Sequence, residues 1–152
     1  MAAIQWQWHT FADLSASELY DILKLRQDVF ILEQQCFYPD MDDQDQISFH
    51  LTGRVDGKLL AYIRVIPKQK NDEDIMVIGR VIVDASLRGT GAGKAMMRET
   101  LDYIADHHPG LTIELSAQEY LFKFYQSFGF CAISEPYDED GIMHIDMRLE
   151  SS

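Results

Sequence analysis

The sequence predicts an α/β fold in which a mixed sheet of about six to seven strands carries helices on both faces. The first observation behind this prediction is the order of hydrophobic patterns along the chain, which is β-α-β-β-β-α-β-α-β-β. The second is the composition of the 152-residue chain, whose 47% apolar and 25% charged residues are ordinary for a globular protein. This length suits one domain, so we expect residues 1–152 to form a single unit.

Local patterns predict the elements of the first half. Alternation of apolar and polar residues over 4–9 predicts a strand, and Ser15 and Glu18 have the spacing of a capping box that starts a helix. Residues 36–48 are acidic and weakly patterned, and we interpret them as a long loop. Asp56-Gly57 between two apolar runs predicts a β-hairpin. We expect Pro67 to close this hairpin and residues 68–74, KQKNDED, to form a polar loop.

The second half begins with a strand over residues 75–84, which leads into a glycine-rich segment. A helix follows through about His107 and ends at Pro109-Gly110. Residues 111–117 predict a further strand, and residues 118–128 predict a short helix that Gly129 ends. The chain closes with two strands, FCAIS and IMHIDMRL, joined by the turn-rich segment EPYDEDG.

Charge and cysteine content narrow the possible partners. The net charge is −12, with 13 Lys and Arg against 25 Asp and Glu. Such a surface repels phosphate backbones and anionic lipid, so we expect neither nucleic acid nor membrane as a partner, whereas cationic amines would be attracted. The alternative is that the acidity only serves solubility. Cys36 and Cys131 predict free thiols, and with no signal peptide or apolar span we expect a cytoplasmic protein.

Gly89, Gly91 and Gly93 stand between the strand that ends at Asp84 and the following helix. A Walker-type phosphate loop would need Gly at position 88 and Ser or Thr after Lys94, and the dinucleotide fingerprint would need Gly at 94. Neither pattern fits. Glycines at the start of a helix still favour an anion site, because they leave backbone N–H groups accessible at the positive end of the helix dipole. A diphosphate could bind there. A plain glycine-rich turn is the alternative.

The segment Arg88-x-x-Gly91-x-Gly93 resembles the Q/R-x-x-G-x-G/A signature of the Gcn5-related N-acetyltransferases, abbreviated GNAT. In that family the segment cradles the pyrophosphate of acetyl-coenzyme A. Residues 124–130, FYQSFGF, resemble the second motif of the family. Three blocks, residues 25–45, 116–130 and 138–147, resemble the ElaA-like branch. The resemblance covers nearly the whole chain and implies a mostly antiparallel sheet that splays beside the strand preceding the glycine segment.

The resemblance also implies roles for individual residues. Val81, Ile82 and Val83 would bind the pantetheine arm through main-chain hydrogen bonds. The pyrophosphate would lie on the segment after them, namely Arg88, Gly89, Thr90, Gly91, Ala92, Gly93 and Lys94. Gln118 stands where many relatives carry an Asn that contacts the coenzyme. Tyr125 would lie near the coenzyme sulfur and act as the catalytic acid. The alternative for Tyr125 is an aromatic ring that only packs in the core, as expected of Phe124 and Phe128.

The chemistry implied is direct transfer of an acetyl group from acetyl-CoA to a primary amine, with no metal and no covalent enzyme intermediate. The protein must align amine and carbonyl, polarise the carbonyl and supply a proton to the leaving thiolate. A tyrosine hydroxyl, with a pKa near 10 that lies above that of a thiol, can donate this proton. Cys36 is not expected to be acylated, because no His or Asn pattern around it indicates activation.

The general base and the acceptor are less defined by the sequence. Five residues are candidates for the base by type and placement, and we do not separate them: Glu33, Asp45, His50, Glu114 and His144. Each could instead be a solvated charge or a structural side chain. Asp40, Asp42, Asp43 and Asp45 lie in the acidic loop on the expected acceptor side, which suggests a small cationic amine or a peptide amine as the acceptor.

Other functions remain open from the sequence. The same glycine segment would serve a non-catalytic module that senses acyl-CoA or acts as a partner subunit. A nucleotide-binding domain is a weaker third possibility, because Lys94 and Ala95 do not fit a nucleotide loop. The strand pair at the C-terminus could offer an edge for a homodimer.

Overall fold

The computed structural model describes residues 3–151, and its centre is a sheet of eight strands. The strands are β1 (Gln5–Thr10), β2 (Phe49–Val55), β3 (Lys58–Lys70), β4 (Glu73–Val83), β5 (Thr112–Gln118), β6 (Cys131–Ala132), β7 (Tyr137–Glu139) and β8 (Ile142–Leu149). Their order in the sheet is β1-β2-β3-β4-β5-β8-β6, and β7 pairs with β8. Only the β4–β5 pair is parallel, so the sheet is mixed and mostly antiparallel, as predicted.

Helices cover both faces of the sheet, which also confirms the prediction. They are α1 (Ala16–Arg26), α2 (Ala92–His107) and α3 (Phe122–Gln126), and α1 continues directly into a π-helical segment, Gln27–Glu33. Neighbouring residues of β3 show the two faces, because side chains alternate along a strand. Tyr62 packs with Ile22 of α1, whereas Ile63 belongs to the main core with Met97 of α2. Among residues 3–151, no helix has the length and apolar character needed to cross a membrane.

Two local predictions are confirmed at atomic detail. The Ser15 side chain accepts a hydrogen bond from the Glu18 N–H, and the Glu18 carboxylate accepts one from the Ser15 N–H, so the capping box starts α1. Asp56 and Gly57 both have positive φ, at 50° and 82°, and turn β2 into β3. This is the backbone of a tight type I′ hairpin, which Asp-Gly favours.

The prediction that Pro67 ends the hairpin and that residues 68–74 form a loop is wrong. β3 runs through Pro67 to Lys70, and β4 begins at Glu73. The turn between them consists of Asn71 and Asp72, with φ of 52° and 64°. Pro67 is tolerated because pairing between β2 and β3 ends at Val65, so Pro67 has a neighbouring strand on one side only.

The end of the chain also differs from its prediction. Residues 135–141 were expected to be a turn, but Tyr137–Glu139 form β7, and the turn is confined to Asp140 and Gly141. This additional strand raises the count from seven to eight. Only Cys131 and Ala132 of the predicted strand FCAIS are paired, which leaves β6 as a short edge strand.

The sheet opens between β4 and β5, where the splay was expected. The two strands pair only from Ile75 to Ile78, opposite Thr112 to Leu115. β4 continues to Val83 without a partner on this side. Its register with β3 shifts between Gly79 and Ile82, where β4 holds one extra residue. Such a bulge bends and twists a strand, and here it turns the end of β4 away from β5.

Candidate active site

The gap between β4 and β5 opens into a cleft of about 1230 Å³. Its walls come from residues 79–83 of β4, the start of α2, the end of β5, α3 and the segment that follows α1. Small-molecule sites typically measure roughly 300–1,000 Å³. This cleft therefore has room for two substrates that meet in the gap.

The first turn of α2 presents unpaired N–H groups beside the cleft. Gly91 caps this helix at φ 83°, and Gly89 before it has φ 75°. The first N–H to bond within the helix is that of Ala95, to the Gly91 carbonyl, so the three preceding N–H groups have no intrahelical acceptor. No acidic side chain occupies this first turn, and Arg88 lines the cleft next to it. The arrangement suits a diphosphate.

The predicted site residues fall into two groups. Those that line the cleft are Val81, Ile82, Val83, Arg88, Gly93, Gln118 and Tyr125. Those that form the turn and helix start beside the cleft are Gly89, Thr90, Gly91, Ala92 and Lys94. Two of the second group have structural contacts of their own. The Thr90 hydroxyl donates to the Leu87 carbonyl, and Ala92 is buried among Leu60 and Leu87. Any ligand contact of Ala92 is therefore through its backbone.

Tyr125 packs in the core and also lines the cleft. Its ring is 4% exposed and meets Phe124 and Phe130 edge to face, with centroids 5.2 Å and 6.2 Å apart. Among residues 3–151, the hydroxyl has no hydrogen-bond partner. Burial, with a smaller contribution from Tyr120, raises the pKa of Tyr125 to about 12. The hydroxyl is therefore protonated at neutral pH and available to a ligand in the cleft.

Comparison with known proteins identifies the family. A family profile described as "Acetyltransferase (GNAT) domain" matches residues 13–151. The chain belongs to the GNAT acetyltransferase family. Protein ElaA of Escherichia coli K12 is 44% identical over 97% of this chain and 97% of its own length. The expected likeness to the ElaA branch is thus confirmed.

Solved structures agree with this assignment. The crystal structure of Escherichia coli ElaA superposes with a TM-score of 0.91 at 43% identity, covering 97% of this chain and 99% of the other. An acyl-CoA N-acyltransferase from Pseudomonas aeruginosa superposes with a TM-score of 0.91 at 38% identity, with the same coverage. This GNAT domain is therefore an acyltransferase, and its family uses acyl-CoA as the donor.

The acidic loop of this GNAT domain differs from the free negative surface that its sequence suggested. Arg26, which is fully buried, donates from Nε to the Asp40 carboxylate at 2.9 Å and from Nη1 to the Asp45 carboxylate at 2.7 Å. Its Nη2 donates to the Asp40 carbonyl at 2.9 Å. A buried guanidinium needs such partners, because an unpaired charge inside a protein is strongly destabilising. These two carboxylates are therefore structural.

Arg64 and Arg80 hold the rest of the loop. Arg64 makes a two-pronged contact with the Asp42 carboxylate, with both distances 2.8 Å, and donates to Asp45 at 3.1 Å. Arg80 donates from Nε to Asp40 at 2.9 Å and from Nη2 to Asp42 at 3.4 Å. The expectation that Asp40, Asp42 and Asp45 attract a cationic acceptor is therefore wrong. Asp43 is exposed and outside this cluster.

Three candidates for the general base are removed by their contacts. Burial alone would raise the pKa of Asp45, but Arg26 and Arg64 outweigh it and lower that pKa. The His50 ring donates from Nε2 to the Asp45 carbonyl and accepts from the Tyr62 hydroxyl, and burial lowers its pKa. Glu114 is bound by Lys70 and Arg148, which lower its pKa despite burial, and it lies outside the cleft wall.

Glu33 and His144 remain, because both line the cleft. Glu33 is exposed at the end of the π-helical segment, and no side chain among residues 3–151 holds it by an ion pair. His144 is partly buried on β8 and lies near Glu139, another cleft residue. Asp140, at the turn after Glu139, is a further carboxylate residue on the cleft wall. The Cys36 thiol donates to the Asp140 carbonyl at 3.5 Å.

Sequence reasoning missed the three arginines as a unit. The signal that could have found them is their position: Arg26 falls on the apolar face of α1, and Arg64 and Arg80 each interrupt an apolar strand. A charged residue in such a place needs a buried partner. The carboxylates of the acidic loop are the partners of these three arginines. Residues 3–151 contain no group of three or more His, Cys, Asp or Glu placed to hold a metal ion.

Proposed function

We propose that this protein is an acetyl-CoA-dependent N-acetyltransferase that transfers the acetyl group directly to a primary amine. The observation that carries the proposal is the open edge of β4, whose main-chain groups beyond Ile78 face a cleft next to the N-terminus of α2. Family membership supports an acyl-CoA donor. The acetyl group and the amine are the specific parts of the proposal.

The residues present fit coenzyme A. Gly89 and Gly91 have open space where a Cβ would stand, so a diphosphate can approach the backbone there. Arg88 supplies a positive charge, and the N–H groups of the first turn of α2 supply donors. Val81, Ile82 and Val83 would pair with the pantetheine amides through their free main-chain groups, in the manner of an added strand. Gln118 stands opposite, at the end of β5.

Acetyl-CoA would supply an activated acetyl group as a thioester, and the protein would orient it and control protons. Tyr125 would act at the sulfur. Its pKa of about 12 keeps the hydroxyl protonated, but makes full transfer to a free thiolate unfavourable. We therefore propose that the Tyr125 hydroxyl first donates a hydrogen bond to the developing thiolate. Its proton moves fully to the sulfur only as the amine nitrogen loses a proton, which replaces the one that Tyr125 gives up. Such positioned acid catalysis typically contributes roughly 10²- to 10⁴-fold in rate.

The acceptor is proposed to be a small cationic amine or a peptide amine. The support comes from three carboxylates on the acceptor side of the cleft, Glu33, Glu139 and Asp140. Among residues 3–151, none of them forms an ion pair with Arg or Lys. These residues replace the loop aspartates of the original hypothesis. We keep the cytoplasm as the proposed location, since both cysteines are free thiols.

Two measurements test the proposal. Calorimetry with coenzyme A should show binding in the micromolar range, and ATP should not compete. Thiol release from acetyl-CoA is then followed with putrescine, glucosamine and trialanine as acceptors. We expect turnover with at least one amine, and the triple variant Glu33→Gln, Glu139→Gln, Asp140→Asn should raise the acceptor KM with little change in the KM for acetyl-CoA. Absence of coenzyme binding at millimolar concentration would overturn the proposal.

A further inference from the structure

His144 has one ring nitrogen fixed and the other free. Its Nδ1 lies 2.8 Å from the Ile142 carbonyl oxygen. Because a carbonyl can only accept a hydrogen bond, Nδ1 carries the proton and donates it. In the neutral ring, Nε2 is therefore left with a lone pair. No other residue of the original five candidates combines a fixed ring or carboxylate with a place on the cleft wall.

The surroundings of His144 include a partner for a protonated ring. The Glu139 carboxylate lies 3.5 Å from Nε2 and would pair with the imidazolium. The Glu139 side chain is 54% exposed, so solvent screens this attraction and its contribution is modest. The Tyr137 ring lies at 26° to the plane of the imidazole, with centroids 6.2 Å apart. The Tyr137 hydroxyl is itself fixed by hydrogen bonds to Ser116 and Asp146.

His144 and the proposed acid, Tyr125, lie on opposite faces of the sheet. Ile145 and Met147 of β8 belong to the main core, which contains Tyr125 and the α2 residues. Side chains alternate along a strand, so His144 lies on the opposite face, the face covered by α1. Both His144 and Tyr125 line the cleft. A group held in the gap between β4 and β5 would therefore have the base on one side and the acid on the other.

We propose that His144 is the general base of the reaction, with Glu139 stabilising its protonated form. This inference rests on the proposed function. An N–H bond of the alkylammonium breaks and its proton bonds to Nε2, which leaves the nitrogen lone pair free to attack the thioester carbon. After the C–N bond forms, the nitrogen loses a second proton. This proton replaces, on the Tyr125 oxygen, the proton that Tyr125 gives to the leaving sulfur. The imidazolium then releases its proton to solvent, so atoms and charge balance.

Other ionisable groups face the same space and enter any pH profile. Besides Glu139, the carboxylates that line the cleft are Glu33, Asp42, Asp84 and Asp140, the cations are Arg64, Lys68, Arg80 and Arg88, and the remaining groups are Cys36, Tyr38, Tyr120 and Tyr125. The test must therefore compare matched variants. The main variant is His144→Gln, which keeps a polar side chain. Its control is His107→Gln, because His107 is exposed near the end of α2 and outside the cleft wall.

The experiment uses two kinds of acceptor with the full chain and acetyl-CoA. The alkylamine probes are putrescine, glucosamine and trialanine, which are largely protonated at neutral pH. The contrast is hydroxylamine, which is largely unprotonated there and does not need a base before attack. We expect His144→Gln to lose about 100-fold or more in kcat with the alkylamine that the wild type uses. With hydroxylamine, after subtraction of the uncatalysed rate, it should keep most of the wild-type rate, and coenzyme affinity should be unchanged.

The outcomes separate this inference from the proposed function. If His144→Gln turns over as fast as the wild type, or loses turnover equally with both kinds of acceptor, the role of His144 is overturned. The proposed function would still stand. A wild type that is inactive with every probe would overturn the proposed function. If His144→Gln does not fold, Glu139→Gln provides the test at saturating acceptor. It should lower kcat with the alkylamine more than with hydroxylamine, because the ring loses the carboxylate placed to pair with its protonated form. An equal change with both kinds of acceptor, or an Nε2–H tautomer of His144 by NMR, would contradict the proposal.

Discussion

Asp40 holds Arg80 in a backbone conformation that is rare for any residue except glycine. Arg80 has φ of 50° at the bulge of β4, and its guanidinium donates to both the carboxylate and the carbonyl of Asp40, at 2.9 Å and 3.2 Å. A non-glycine residue in this region is strained by roughly 1–2 kcal/mol, so it needs contacts that outweigh the strain. Asp40 binds Arg26 in the same way. The acidic loop therefore fixes the bulge that opens the sheet beside the cleft.

The first prediction concerns this contact. Asp40→Asn removes the charge that Arg26 and Arg80 share, and leaves a fully buried guanidinium with fewer partners. We expect the free energy of unfolding to fall by about 3 kcal/mol, measured by urea denaturation. Coenzyme affinity should fall as well, because the bulge sets the direction of residues 81–83. The matched control is Asp43→Asn in the same loop, where the exposed carboxylate should cost less than about 0.5 kcal/mol. Equal effects in both variants would show that the charge of Asp40 has no structural role.

Local signals in the sequence were sufficient for much of the fold. The capping box at Ser15, the Asp56-Gly57 turn and the glycine start of α2 each depend on neighbouring residues, so their spacing predicts them directly. The turn at Asn71-Asp72 does not follow from local signals, because Pro67 predicts the end of a strand three residues before β3 ends. Whether proline ends a strand depends on which neighbours pair there, and that is a property of the whole sheet.

In the candidate site too, features set by neighbouring residues could be predicted, whereas features set by distant contacts could not. The glycine segment could be predicted because its chemistry lies in consecutive backbone groups. The roles of the acidic loop could not, since Arg80 meets Asp40 across 40 positions and Arg64 meets Asp42 across 22. Such pairing removed Asp45 from the candidate bases. Likewise, the free nitrogen of His144 depends on a contact with Ile142 that residue type alone does not reveal.

The second prediction concerns pH and stability. Arg26 and Arg64 lower the pKa of Asp45 in the folded protein, against the opposing effect of burial. In the window between the unfolded-state pKa, about 3.9, and the lower folded-state pKa, the unfolded chain binds more protons, so stability falls as the pH falls. Asp45→Asn should therefore be clearly less stable than wild type at about pH 7, and the difference should shrink towards about pH 3. Urea unfolding at several pH values measures this. A difference that stays constant with pH would exclude the ion pairs as its cause.

The third prediction tests whether Tyr125 acts as the acid or only packs in the core. Tyr125→Phe removes a hydroxyl that has no hydrogen-bond partner among residues 3–151, so stability should change little. If Tyr125 acts on the leaving thiolate, kcat should fall about 100-fold while coenzyme affinity, measured by calorimetry, is kept. Tyr20→Phe, at an exposed tyrosine of α1, is the control and should behave as wild type. Unchanged kcat in Tyr125→Phe would return Tyr125 to a packing role alone.

The fourth prediction compares two glycines that have nearly the same positive φ, where alanine would be strained. Gly91 at the start of α2 and Gly57 in the β2–β3 hairpin have φ of 83° and 82°, and a Cβ added at either would meet no protein atom within 4 Å. Alanine at either position should therefore cost a similar amount of stability, about 1 kcal/mol. Only Gly91→Ala would place a methyl group where the diphosphate is proposed to lie. We expect its Kd for coenzyme A, measured by calorimetry, to rise about tenfold or more, which corresponds to about 1.4 kcal/mol. An equal Kd in the two variants would mean that the glycine turn only shapes the chain, and the proposed diphosphate site would have to lie elsewhere in the cleft.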